Sequence, residues 1–166
     1  MNAKEFLTVV LPLFVVALFF KLYFSALFLI YPGDIIFALV LTILIFKSSG
    51  ILLYTFLFFL GLLEGLDFLN IELLSAIYFV LLGILINHLR KYLTFETLES
   101  KIIIWILSIL TFLIFRYIVY FCNLNVPIDW MWILNLAVKS FYYVFTTFLW
   151  VLIFYKILSN FLYKRL

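Results

Sequence analysis

Charged residues are scarce in this chain. Lys, Arg, Asp and Glu make up 11% of its 166 residues, whereas 69% are hydrophobic. A water-soluble domain carries about a quarter charged residues, because most of its surface faces water. The shortage therefore excludes an ordinary soluble domain and predicts a surface that faces a lipid bilayer. A formal net charge of only +3 also argues against nucleic-acid binding, which needs a basic stripe on a solvated face.

Histidine and cysteine are almost absent. The chain has one histidine, His88, and one cysteine, Cys122. An internal disulfide is therefore impossible, and neither a His-rich nor a Cys-rich metal site can be assembled. No glycine-rich phosphate loop is present, and no residue pattern pairs a nucleophile with the single histidine. We predict that the protein is not an enzyme and needs no cofactor.

Glycine and proline are also few, with five and three residues, which leaves little room for long loops. Uncharged apolar runs follow one another along the chain, and about 20 such residues make a helix that spans the hydrocarbon core. We predict a single transmembrane domain over residues 1–166, an all-α bundle of about six membrane-spanning helices. The stretch after Lys21 either extends the first helix or lies in the membrane interface. The six predicted helices cover residues 6–20, 34–46, 51–66, 72–89, 102–121 and 130–163.

The distribution of positive charge predicts the orientation. If the N-terminus is cytoplasmic, eight cations lie in cytoplasmic segments, one (Lys21) lies outside, and Arg116 and Lys139 lie within the spans. Cytoplasmic loops of membrane proteins carry an excess of Lys and Arg. We therefore predict that both termini are cytoplasmic. The eight cytoplasmic cations are Lys4, Lys47, Arg90, Lys91, Lys101, Lys156, Lys164 and Arg165.

Polar residues near the outer ends of the predicted helices form a candidate intramembrane cluster. Its members are Asp34, Arg116, Asn135 and Lys139. A lone charge at bilayer depth is costly unless it is paired or reaches water. The cluster therefore serves a ligand or partner, or its charges neutralise one another inside the bundle while Arg116 and Lys139 extend towards the interface.

The third predicted helix carries a candidate partner-binding surface. Gly61 and Gly65 are four residues apart, a spacing that allows a second helix to approach closely in lipid. Glu64 and Asp67 lie three residues apart near the outer end of the same helix, on one face. Packing within the chain is the other use that these glycines can have.

Several of these elements resemble the bacterial rod shape-determining MreD family. The resemblance covers most of the chain, and either Glu64 or Asp67 would correspond to the acidic residue of the family. The elements that carry it are Pro32-Gly33-Asp34, Lys47-Ser48-Ser49-Gly50, the run from Gly61 to Asp67, Gly83 with His88-Leu89-Arg90-Lys91, and the last helix with its basic tail, residues 135–166.

The resemblance implies a non-catalytic scaffold in the bacterial cytoplasmic (inner) membrane. Such proteins act in the cell-elongation machinery that inserts peptidoglycan, binding an MreC-like membrane protein and, through it, an MreB-like filament and the wall synthases. The family is similar in fold to the substrate-binding subunits of energy-coupling-factor transporters. The alternative is therefore a subunit that binds a small, vitamin-like molecule. An enclosed, ligand-sized cavity would favour this alternative.

Overall fold

The computed structural model describes residues 6–28, 34–46, 50–66, 72–92, 97–123 and 130–163. Within these ranges every regular element is a helix. The first helix begins with one π-helical segment, Phe6–Val10, which continues directly into α1. The helices are α1 (Leu11–Phe28), α2 (Ile35–Phe46), α3 (Ile51–Leu66), α4 (Glu72–Leu89), α5 (Leu98–Asn123) and α6 (Trp130–Tyr163).

The helices and their lengths make this chain an all-α membrane protein. In the part of the chain that the structure describes, four helices are long and apolar enough to cross a bilayer, whereas two apolar helices, Ile35–Phe46 and Ile51–Gly65, are shorter. Lys21 does not end the first helix, which continues to Phe28, so the structure supports the extension of that helix. The four long apolar stretches are Phe6–Tyr23, Glu72–Leu89, Leu98–Cys122 and Ile133–Phe161.

The short helix α2 lies in the middle of the bundle. All its side chains from Ile35 to Ile45 are buried, and it contacts each of the other five helices, most extensively α6 and α1. A helix that is apolar on every side is suited to such a position. Phe37 illustrates the packing, because its ring stacks on that of Phe112 in α5 with centroids 4.2 Å apart.

The helices α3 and α4 pack most closely, as an antiparallel pair. The contact is tightest at Gly61, where an added Cβ atom would lie 2.4 Å from the Cα atom of Ala76. A contact between two backbones leaves no flexible side chain that could move aside. The close approach that the glycine spacing predicts is therefore made here inside the chain.

At one end of the bundle, hereafter the Arg90 end, positively charged side chains hold the helix ends together. Arg90 donates hydrogen bonds to the carbonyl oxygens of Leu44 and Ile45, the latter at 2.6 Å, in the last turn of α2. A cation is favourable there because the C-terminus of a helix carries partial negative charge. Partial burial lowers the pKa of Arg90 from its usual value. Nearby, Lys101 Nζ donates to the hydroxyl of Tyr155 at 3.0 Å.

A candidate functional site: a buried charge network

The opposite end of the bundle, hereafter the Asp34 end, is organised by the residue before α2. Asp34 is the N-cap of α2, because its Oδ1 accepts a hydrogen bond from the backbone N–H of Phe37 at 2.8 Å. The backbone N–H of Asp34 donates to Thr147 Oγ1 in α6 at 2.9 Å. Asp34 and Thr147 are both buried. The start of the central helix is therefore held against α6.

Arg116 of α5 lies between two buried carboxylates. Its Nη1 is 3.6 Å from Asp34 Oδ2, and its Nη2 is 3.8 Å from Glu64 Oε1 in α3. The hydroxyl of Tyr143 accepts a hydrogen bond from Arg116 Nη1 at 3.4 Å and donates one to Asp34 Oδ2 at 3.3 Å. One guanidinium group thus connects α5 to the start of α2, to α3 and to α6.

Lys21 of α1 pairs with the second of these carboxylates, Glu64. Its Nζ donates to Glu64 Oε2 at 2.8 Å. The distribution of charge predicted Lys21 outside the membrane and not in the cluster. Its position in the sequence could have predicted this contact. Lys21 is a single cation within a long apolar helix, and such a charge is costly unless it is paired or reaches water.

These six residues form what we call the charge network: Lys21, Asp34, Glu64, Arg116, Tyr143 and Thr147. The two carboxylates have 1% and 5% of their side-chain surface exposed. Opposite charges attract strongly where protein excludes water, whereas a buried charge without a partner is very costly. Among the described residues, two acids face two cations, and the network joins five helices.

The structure brings together only part of the predicted intramembrane cluster. Asp34 and Arg116 meet as predicted, whereas Asn135 and Lys139 are exposed on α6 and take no part in the network. The reason is the length of α6, because Lys139 lies one helical turn, about 6 Å, beyond Tyr143. At this level α6 still contacts α5, through the hydroxyls of Ser140 and Tyr117, but Asn135 and Lys139 are exposed.

The predicted partner-binding residues lie mostly inside the chain. Gly61, Glu64 and Gly65 are buried, Gly61 against α4 and Glu64 in the charge network. Asp67 lies outside the described residues. A role for these four residues in binding a partner stays a prediction.

The chemistry available at the site is that of ion pairs and hydrogen bonds. Within the described ranges, no group of three or more His, Cys, Asp or Glu side chains is placed to hold a metal ion. No protein-family model, no curated protein and no solved structure matches this chain. The resemblance to the MreD family therefore rests on the sequence elements that carry it.

Proposed function

We propose that this protein is a non-catalytic scaffold of the bacterial cell-elongation machinery, an MreD-like protein of the cytoplasmic membrane that binds an MreC-like partner. The observation that supports this function is the charge network itself, in which buried side chains of opposite charge join five helices. Lys21 and Arg116 face Asp34 and Glu64. The buried charges thus hold the helices in place, and a rigid bundle is what a scaffold needs.

The rival function is a small-molecule binding subunit of the energy-coupling-factor type. Such a subunit directs a few polar groups towards its ligand from the wall of a pocket. In this chain the hydroxyl of Tyr143 and both carboxylates are already bonded to other side chains. Ligand binding at this position would have to break contacts that hold five helices together, which favours the scaffold.

The proposed topology has six membrane crossings, with both termini and the Arg90 end in the cytoplasm. The short α2, about 18 Å long, does not argue against a crossing. It is surrounded by protein instead of lipid, so its length need not match the ~30 Å hydrocarbon core. The charge network then lies towards the extracytoplasmic side.

Reporter fusions test this topology. We expect a cytoplasmic signal from a fusion after Leu166 and an extracytoplasmic signal from one within residues 123–129. A cytoplasmic signal from the second fusion would exclude six crossings with cytoplasmic termini.

Co-purification tests the function. The protein is co-expressed with a tagged, single-span MreC-like protein and purified through that tag in mild detergent. We expect the two chains to elute together, and an unrelated single-span protein with the same tag serves as the control. Elution of the MreC-like protein alone would contradict the scaffold. A stoichiometric small molecule seen by native mass spectrometry on the purified chain would favour the transporter subunit.

A further inference from the structure

Three polar side chains form a row on the exposed surface of α6. Asn135, Lys139 and Tyr142 are four and three residues apart, so they lie along one side of the helix. All three are exposed, and all lie within the apolar stretch Ile133–Phe161. We call this row the α6 polar seam. Polar side chains on a membrane-facing surface are unusual, because lipid tails offer them no hydrogen bonds.

The charge of Lys139 is not needed inside the bundle. The described ion pairs of the charge network join two cations to two carboxylates without it, and Lys139 forms no ion pair with any described residue. A lone ammonium group within an apolar stretch is costly unless it is paired or reaches water. Among the described residues no carboxylate faces the seam, so a negative charge on another molecule would complement it.

The surface beside the seam suits a helix. Val138, Phe141 and Phe145 are exposed next to it, Phe141 with 76% of its surface. Helices associate in lipid through close side-chain packing together with hydrogen bonds between polar residues. The seam offers an amide, an ammonium group and a phenol, and the exposed apolar residues beside it offer packing.

We infer that the α6 polar seam binds a transmembrane helix that carries a carboxylate side chain at the depth of Lys139. This inference rests on the proposed scaffold function, since it names the surface at which a partner helix binds. The seam runs for about 10 Å along α6, which matches a helix lying beside it. A lipid headgroup, by contrast, would reach only the outer end of the seam.

The test uses designed peptides of known sequence. A leucine-rich transmembrane peptide carries one glutamate at the matching depth, and a second peptide carries leucine there. Binding to the full-length protein is measured by fluorescence energy transfer in phosphatidylcholine vesicles, which have no net charge. We expect the glutamate peptide to bind about tenfold more tightly, the order expected for a polar contact between helices in lipid.

Two variants of the protein assign that difference to Lys139. K139L should abolish the preference for the glutamate peptide, and K139E should reverse it in favour of a peptide with lysine. Lys156, which is exposed on the same helix nearer the Arg90 end, supplies the matched control, because K156L removes the same charge and should leave the preference unchanged. An unchanged melting temperature of K139L shows that the variant is folded.

Three outcomes would overturn the inference. The first is equal binding of the glutamate and leucine peptides to the unaltered protein. The second is a Lys139-dependent interaction only with vesicles that contain phosphatidylglycerol, which would assign the seam to lipid. The third is self-association of the protein that K139L abolishes, which would assign the seam to a second copy of the chain.

The co-purification assay separates this inference from the function on which it rests. If K139L still co-elutes with the MreC-like protein as the unaltered chain does, the seam is not the docking surface but the scaffold function stands. If the unaltered chain does not co-elute with it, the scaffold function itself fails.

Discussion

The helices α2 and α6 are both apolar, yet they occupy opposite environments. The 12 residues of α2 span about 18 Å and are enclosed by protein, whereas the 34 residues of α6 span about 51 Å. The half of α6 nearest its N-terminus exposes most of its side chains, and the other half contacts the bundle along one side. The shortest helix thus forms the centre, and the longest extends beyond it.

The difference shows that helix length in this protein follows the surroundings of each helix. A helix in contact with lipid must match the hydrocarbon thickness, while one enclosed by other helices need only fit between them. The two ends of α2 are held by side chains of its neighbours, with Arg90 at the C-terminus and Thr147 beside the N-cap. Four changes test how far this contrast between centre and periphery extends.

The largest effect is expected from Arg116→Met. The change leaves two buried carboxylates with Lys21 as their only cation in the network, and removing one partner from a buried ion pair typically costs about 3–5 kcal/mol. Thermal unfolding in detergent measures the loss. Lys139→Met removes the same charge from the exposed part of α6 and serves as the control. Equal stability of the two variants would contradict the assignment of Arg116 to a buried network.

The next largest effect is expected from Phe37→Ala at the centre. Loss of the ring stacked on Phe112 opens a cavity, and such changes in protein cores cost about 3 kcal/mol or more. Phe141→Ala is the matched change on exposed α6 and should leave the unfolding free energy almost unchanged. If the two alanine variants were equally stable, α2 would not be the packing centre of the bundle.

A smaller effect is expected from Gly61→Ala. Its new methyl group would meet the backbone of Ala76 at 2.4 Å, and overpacking of this kind costs about 1–3 kcal/mol. Gly83→Ala provides the comparison, because its methyl group would meet a terminal atom of the flexible Leu57 side chain at 2.7 Å. We expect G61A to melt well below G83A. The reverse order would show that α3 and α4 can separate easily.

The smallest effect is expected from Arg90→Met. The change removes the cation from the C-terminus of α2, and charge interactions at helix ends are worth about 1 kcal/mol. Lys91→Met, at an exposed neighbouring position, should have no measurable effect on the melting temperature. An R90M variant as stable as K91M would mean that the end of the central helix needs no capping cation.

The helix bounds were largely predictable from the sequence, because charges and turn residues interrupt the apolar runs. The predicted start and end of the fourth helix, residues 72–89, match α4, while α5 begins at Leu98, four residues before the prediction. The membership of Asp34 and Arg116 in one polar cluster was also predicted. The inclusion of Lys21 and the exclusion of Asn135 and Lys139 were not, since each depends on which helices lie side by side.

The sequence by itself determined that this is an all-α membrane protein, because scarce charge and repeated apolar runs allow no other surface and hydrocarbon favours helices. Only the tertiary structure decided which helix is central and which residues are buried together. The physical reason is that lipid tails and a protein core are equally apolar. The side of a helix that faces lipid therefore looks like the side that faces its neighbours, and the position of α2 and the partners of Lys21 follow from packing alone.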